Sequence, residues 1–225
     1  ATDGNGVHFL SHKKQQVTRR FYHDVSDKEG IRSNSVYSLL VDDRGAVWVG
    51  HFQAGLDYSL YQNGLFRTYA YPPLFNSANL SIRSFISRGQ EKVIGSRDGL
   101  FYINEATGMV KSFVKPVLTS DLILTISFYQ GEYYIGTYGG GMMVLNPETL
   151  SLKYFSQSDT ELFQKGHIFC VKPDTKGNLW IGTSQGLFNY NGQTKQIKHF
   201  TSANSQLPEG NVYEVSFDST GKGWI

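Results

Sequence analysis

Apolar residues in this chain come in short runs broken by glycine, asparagine and aspartate, and the runs recur in one order. In the clearest stretch, Val36–Val41 is followed by a turn, Asp42-Asp43-Arg44-Gly45, and then by Ala46-Val47-Trp48-Val49-Gly50. A glycine-containing loop, His51–Gly55, leads to Leu56–Tyr61, and an Asn63-Gly64 pair, a strong hairpin signal, leads to Leu65–Tyr69. Runs this short, bounded by turn residues, predict strands. The same reading predicts strands at 82–86, 99–103 and 110–113, then at 123–128, 133–136, 141–145 and 152–155, and then at 168–171, 179–182, 186–190 and 196–200. Residues 212–217 and 222–225 supply two more, and 6–10 and 17–22 match third and fourth strands. No helical period stands out, and Thr160-Glu161-Leu162-Phe163 has room for one turn at most.

The second strand of each group is one phrase repeated. Gly177-Asn178-Leu179-Trp180-Ile181-Gly182-Thr183 has copies at Gly45–Gly50 and Gly131–Thr137, a worn copy at Glu91–Ser96 and a fifth at Gly221–Ile225. The closing glycines, Gly50, Gly95, Gly136 and Gly182, stand 45, 41 and 46 residues apart. That period, with four antiparallel strands in each repeat, predicts an all-β fold, a β-propeller of four-stranded blades in which residues 1–225 form one domain. A four-stranded sheet has two apolar faces and must stack against a neighbour on each. Trp48, Val93, Tyr134, Trp180 and Trp224 are the expected wedges between blades, and Gly50, Gly136 and Gly182 the expected points where the chain turns sharply. Five repeats are in phase, with the first and last each half present. Either the halves join into a closed five-bladed ring, or the chain is an arc of a larger, seven-bladed one; the arc is the favoured expectation. The opening Ala1-Thr2-Asp3-Gly4 and the stop at Trp224-Ile225 read as an excised or processed piece.

Composition narrows the partners. The formal net charge is +2 without a basic cluster, so direct nucleic-acid contact is not expected. The single Cys170 sits in an apolar run and reads as a buried small hydrophobe. No run approaches the length of a membrane span.

Ile31–Ser38 with Asp42–Gly50, Leu207–Val215 with Asp218–Ile225, and above all Asp174–Thr183 resemble the two-component regulator propeller repeat. The second repeat departs most, with a shortened turn and Val93 in place of tryptophan. The resemblance implies a periplasmic sensor segment of an inner-membrane hybrid histidine kinase. Such proteins carry two seven-bladed propellers, an immunoglobulin-like domain, one membrane span and cytoplasmic kinase, receiver and DNA-binding parts. It also implies an oligosaccharide ligand released from complex glycans, control of glycan-utilisation genes and a homodimeric parent.

Catalytic chemistry has little to stand on. The histidines lack metal-ligand spacing, Gly139-Gly140-Gly141 lacks the helix of a phosphate cradle, and there is no nucleophile-elbow phrase. No cofactor or metal is expected. Asp42, Asp174 and Asp218 recur before the turn glycine and read as turn caps. The informative positions are those where the repeat breaks its own pattern. After the phrase glycine stand Ser96, Thr137 and Thr183, but His51 in one repeat; the loops that follow and the residues leading into the first strands also vary. In a meander these two sets lie at one end of each blade. The candidate ligand residues are therefore His51, Gln53, Arg97, Asp98, Tyr138 and Gln185 on the loops, with Arg83 and His167 at the strand starts. A propeller lyase or glycan hydrolase and a protein-interaction scaffold are the alternatives to a glycan sensor.

Overall fold

A computed structural model describes the chain apart from residues 1, 12, 61–64, 70–79, 156–160 and 219. The Asn63-Gly64 turn and the first residue of the expected helical turn lie outside the described residues. The described residues are all-β but for one four-residue helix, and among them no helix is long and apolar enough to cross a membrane. It divides into two compact units, residues 1–112 and 113–225.

The first unit opens with a two-stranded sheet, β1 (Val7–Ser11) and β2 (Gln16–Phe21). Two four-stranded antiparallel blades follow. One is β3 (Val36–Val41), β4 (Ala46–His51), β5 (Leu56–Leu60) and β6 (Arg67–Thr68); the other is β7 (Ile82–Arg88), β8 (Glu91–Ser96), β9 (Gly99–Asn104) and β10 (Met109–Phe113). The second unit holds β11 (Ile123–Tyr129), β12 (Glu132–Thr137), β13 (Met142–Leu145) and β14 (Leu152–Tyr154), and then, after helix α1 (Leu162–Lys165), β15 (Ile168–Pro173), β16 (Asn178–Thr183), β17 (Gly186–Asn191) and β18 (Ile197–Phe200). It ends on a two-stranded sheet, β19 (Ser216–Phe217) and β20 (Gly223–Trp224). Strand order within every blade is sequence order, the meander of a propeller blade.

Several predicted strands are shorter than expected, two of them for a visible reason. The Leu65–Tyr69 strand contracts to Arg67–Thr68, because the Phe66 N–H leaves the ladder for the Glu29 carbonyl. The 212–217 strand contracts to Ser216–Phe217, because the Val212 N–H is spent on the Thr183 carbonyl of the preceding blade.

The wedge residues lie between blades. Trp48 is buried against Phe85, with ring centroids 4.9 Å apart, in a core shared with Ile82, Ile94 and Phe101 of the next blade. In the second unit Tyr134 joins Tyr129, Phe155, Phe188 and Tyr190. Trp180 packs on Phe200 and Phe217, whereas Trp224 is largely exposed.

Tryptophan and aspartate go together. Asp42 accepts the Arg44 and Ala46 N–H groups through Oδ1, and its Oδ2 accepts the Trp48 indole N–H at 3.0 Å. Asp174 repeats this with Lys176, Asn178 and Trp180. One carboxylate thus pins the hairpin turn and orients the wedge. Where the turn shrinks to Gln130-Gly131, both at positive φ, no aspartate is present and the wedge is Tyr134.

The phrase glycines correct an expectation. Gly50, Gly136 and Gly182 lie inside strands with ordinary φ and make no turn. They are glycine because the facing strand of the same blade and the neighbouring blade together leave no room: a Cβ on Gly136 would sit 2.6 Å from Thr125 Cγ2 and 2.7 Å from Ile168 Cγ2, and one on Gly182 would sit 2.5 Å from Cys170 Sγ and 2.6 Å from the Val212 carbonyl.

Two predictions follow from this packing. Gly136→Ala destabilises the protein by about 1–3 kcal/mol, the usual cost of overpacking, read as a lower urea midpoint. The second concerns acid. Burial alone would push the Asp42 carboxyl up, but hydrogen bonds from Trp48, Ala46 and Arg44 outweigh it and hold the group below 3.8. A depressed folded pKa means that the stabilisation is present above the unfolded value and is lost as pH falls through the folded one. Asp42→Asn therefore unfolds at lower urea than the parent near neutral pH, and the gap narrows below pH 3.8.

Candidate functional site

One end of every blade is stitched together in the same way. The N–H of the second residue after the phrase glycine donates to the carbonyl of the residue leading into the first strand: Phe52 to Ser35, Arg97 to Ser81, Tyr138 to Leu122, and Ser184 to His167. Within each blade the loop after the second strand and the start of the first strand therefore meet at one end, the rim of that blade, as a meander requires.

Beneath the rim lies a hydroxyl clamp. Ser96, Thr137 and Thr183 each donate to the carbonyl of the glycine opening the third strand, Gly99, Gly141 and Gly186. Their oxygens accept loop N–H groups from Asp98, Gly140 and Gln185. His51 stands in this position in its blade, and the structure corrects its assignment as a rim residue. It is fully buried, and its Nε2 lies 2.9 Å from Oδ2 of the equally buried Asp57. The same Oδ2 accepts the Arg32 N–H at 2.8 Å. This pair replaces the hydroxyl clamp and links the blade to the segment that precedes it. Phe101 and Phe188 hold the corresponding place in their third strands.

The rim is shaped by bulges. In all four described four-stranded blades the ladder between the first two strands slips at one point, between Val36 and Ser38, Ile82 and Ser84, Ile123 and Thr125, and Ile168 and Cys170. A bulge leaves one residue unpaired and re-aims its side chain. The residues so released are Tyr37, Arg83, Leu124 and Phe169, all half-buried. In the first unit the Arg83 guanidinium lies 4.5 Å from the Tyr37 ring centre, and Tyr37 packs on Phe52 at 5.2 Å. In the second unit four rings form a row. Tyr138 and His167 are 4.0 Å apart, His167 and Phe169 6.1 Å, and Phe169 and Tyr213 4.7 Å. Tyr138 and Tyr213 are the exposed ends of this row, and His167 Nδ1 has no hydrogen-bond partner. Gly139, at φ 77, runs beside the His167 ring.

The other sequence-derived candidates fall into two groups, one in each unit. Gln53 and Arg97 are exposed and tied to the same residue: the Gln53 N–H donates to Ser81 Oγ and the Arg97 N–H to the Ser81 carbonyl, two residues before Arg83. Asp98 is exposed on the same loop. In the second unit Tyr138 and His167 stack, and the exposed Gln185 follows Ser184, whose N–H is bound to His167. The Gln185 carbonyl is bonded by His199 Nε2 at 2.7 Å. A groove of ≈ 560 Å³ opens beside Gly139 and Gly140, lined by Thr119, Tyr154, Phe155, Gln164 and Lys165. Sequence reasoning missed Tyr37, Phe169 and Tyr213. The available signal was the residue directly after the first apolar residue of each first strand, which is aromatic or charged in most repeats.

Among the described residues no three His, Cys, Asp or Glu side chains gather as metal ligands. Cys170 is buried against Gly182, and burial pushes its thiol up to about 11, so it is no nucleophile near neutral pH.

The buried pair makes a separable prediction. His51→Ala leaves the Asp57 carboxylate buried with a partner lost and costs about 3–5 kcal/mol. The double variant His51→Thr with Asp57→Phe installs the clamp of the other blades and recovers most of that loss. Urea denaturation of the parent, the single variant and the double variant measures both.

Residues 30–53 and 163–185 match the family described as two component regulator propeller. These stretches contain the first two strands, β3–β4 and β15–β16, of two blades in which the turn carboxylate holds a tryptophan, and the chain carries two-component regulator propeller repeats there. Solved structures show the same fold. The extracellular domain of the hybrid two component system BT3049 from B. thetaiotaomicron is 24% identical, with a TM-score of 0.68 over 94% of this chain and 28% of that one. The extracellular domain of the one component system BT4673 from the same organism is 18% identical, with a TM-score of 0.56 over 100% of this chain and 36% of that one. PorZ, a bacterial surface component of the type-IX secretion system of Porphyromonas gingivalis, is 16% identical, with a TM-score of 0.69 over 96% of this chain and 34% of that one. The chain thus spans about a third of the length of these proteins. No curated protein matches it.

Proposed function

We propose that this run of two-component regulator propeller repeats is the ligand-sensing segment of an extracytoplasmic, membrane-bound hybrid two-component regulator, and that its rim binds an oligosaccharide released from a complex glycan. The observation that carries this reading is the row of rings Tyr138, His167, Phe169 and Tyr213. Sugars offer an apolar C–H face to aromatic rings and hydroxyls to planar polar groups, and the exposed Tyr138 stacks on His167, whose Nδ1 is unpartnered. The family match and the two-component neighbours support the sensor role. A periplasmic location, a kinase in the parent chain, adjoining propeller and immunoglobulin-like domains, a homodimeric parent and an arc of a seven-bladed ring belong to the same proposal. So does the absence of catalysis by this segment, because among the described residues the rim gathers no pair of carboxylates and no nucleophile with a base.

The test uses the full-length protein and a panel of glycan fragments, read by thermal shift and by product analysis. The expected outcome is a shift without turnover for at least one fragment. Tyr138→Ala weakens that binding by about 1–2 kcal/mol, roughly five- to thirtyfold, while Lys111→Ala, on strand β10, leaves it unchanged. Cleavage of a fragment would favour a propeller enzyme, and binding only to another protein would favour a scaffold.

A further inference from the structure

The bulge of β7 releases a charge where the other described blades release a ring or a leucine. Arg83 is half-buried, and its guanidinium rests on Tyr37 at 4.5 Å. Stacking on a ring holds the plane of the guanidinium and leaves the edge that carries its terminal N–H groups open. Nε is buried and unpartnered. Among the described residues no carboxylate pairs with Arg83, and none pairs with Arg97, which is tied by its N–H to Ser81 at the same rim.

The arginines and lysines whose ion pairs are seen elsewhere serve the fold: Lys92 is buried on Glu105 at 3.2 Å, and Lys153 meets Glu132 at 2.9 Å. Arg83 is held by a ring in place of a carboxylate, and among the described residues its fork is left without an anion. A buried donor without a partner is costly. Here the bulge, the stack and the second arginine together present an unneutralised fork to the rim.

We propose that Arg83 is an anion-reading residue, and that the ligand at the rim of the first unit is an acidic sugar whose carboxylate accepts two parallel hydrogen bonds from the Arg83 guanidinium, with Arg97 adding long-range attraction. This rests on the glycan-sensing reading above and narrows it to uronic-acid oligosaccharides. A carboxylate matches the fork in shape as well as in charge.

The experiment is calorimetry on the full-length protein with uronate-bearing oligosaccharides, each paired with its methyl-esterified form. The expected result is tighter binding of an acid than of its ester. Arg83→Gln should lower affinity for the acid roughly ten- to a hundredfold and leave affinity for the ester and the melting temperature nearly unchanged. Arg83→Lys should restore part of the preference, because it returns the charge without the fork. Equal binding of acid and ester overturns the inference and leaves the glycan sensor standing. A loss for both forms with a fall in melting temperature also overturns it, because Arg83 would then serve the fold alone. If no fragment of the panel binds, acidic or neutral, both readings fall.

Discussion

The structure depends on a contact that only hydrogen permits. The segment that opens each following blade inside a unit sets one apolar residue directly on the second strand of the blade before it: Ile82 on Gly50, Ile168 on Gly136 and Val212 on Gly182. A single methyl group on any of these glycines would overlap the neighbour. Two twisted sheets nest this closely only where one surface is bare backbone. The large wedges then fill the wider part of the gap: Trp48 against Phe85 in the first unit, and Tyr134 with Tyr190 and Phe155 in the second.

That contact also sets the geometry of the rim. The residue anchored on the glycine is followed at once by the bulge, so Arg83 comes after Ile82 and Phe169 after Ile168. The anchor fixes the height of the strand, and the bulge turns the next side chain out of the ladder. A packing constraint repeated from blade to blade and a side chain that varies between blades thus occupy consecutive positions. The blade can exchange tyrosine for arginine, leucine or phenylalanine at the bulge without touching the packing beneath it.

Most of the fold was legible because its determinants are local. Strand length, turn residues and the repeated phrase all sit within one blade, so the four-stranded grammar could be read from Val36 to Tyr69 and transferred to the other repeats. The link between Asp42 and Trp48 spans six residues, and the chain shows the two varying together. What was not legible is what one blade does to the next. The phrase glycine looked like a turn because glycine often makes turns, whereas its cause here is crowding between the facing strand of its own blade and a residue of the next blade thirty or more positions away. His51 looked like a rim ligand because it broke the hydroxyl pattern. Its partner Asp57, six residues on and in a strand position otherwise apolar, draws it inward. The second departure, Asp57 where other blades carry Phe101 or Phe188, was visible in the sequence and would have explained the first.

The candidate site was legible as a place but only partly as a set of residues. The rim followed from meander topology, and the loops and strand starts do meet there through the same N–H to carbonyl bond in each blade. Among the bulge residues Arg83 was reached that way, but Tyr37, Leu124 and Phe169 were not, because alternation assigns them to the face opposite their neighbours and a bulge breaks alternation. Yet they carry the chemistry that varies most between blades. Tyr37, Arg83, Leu124 and Phe169 differ in charge, ring content and size, while the residue before each of them is always Val or Ile. A position whose neighbour is restricted by packing, and which is itself released from the ladder, is where a repeat protein is free to encode what it recognises.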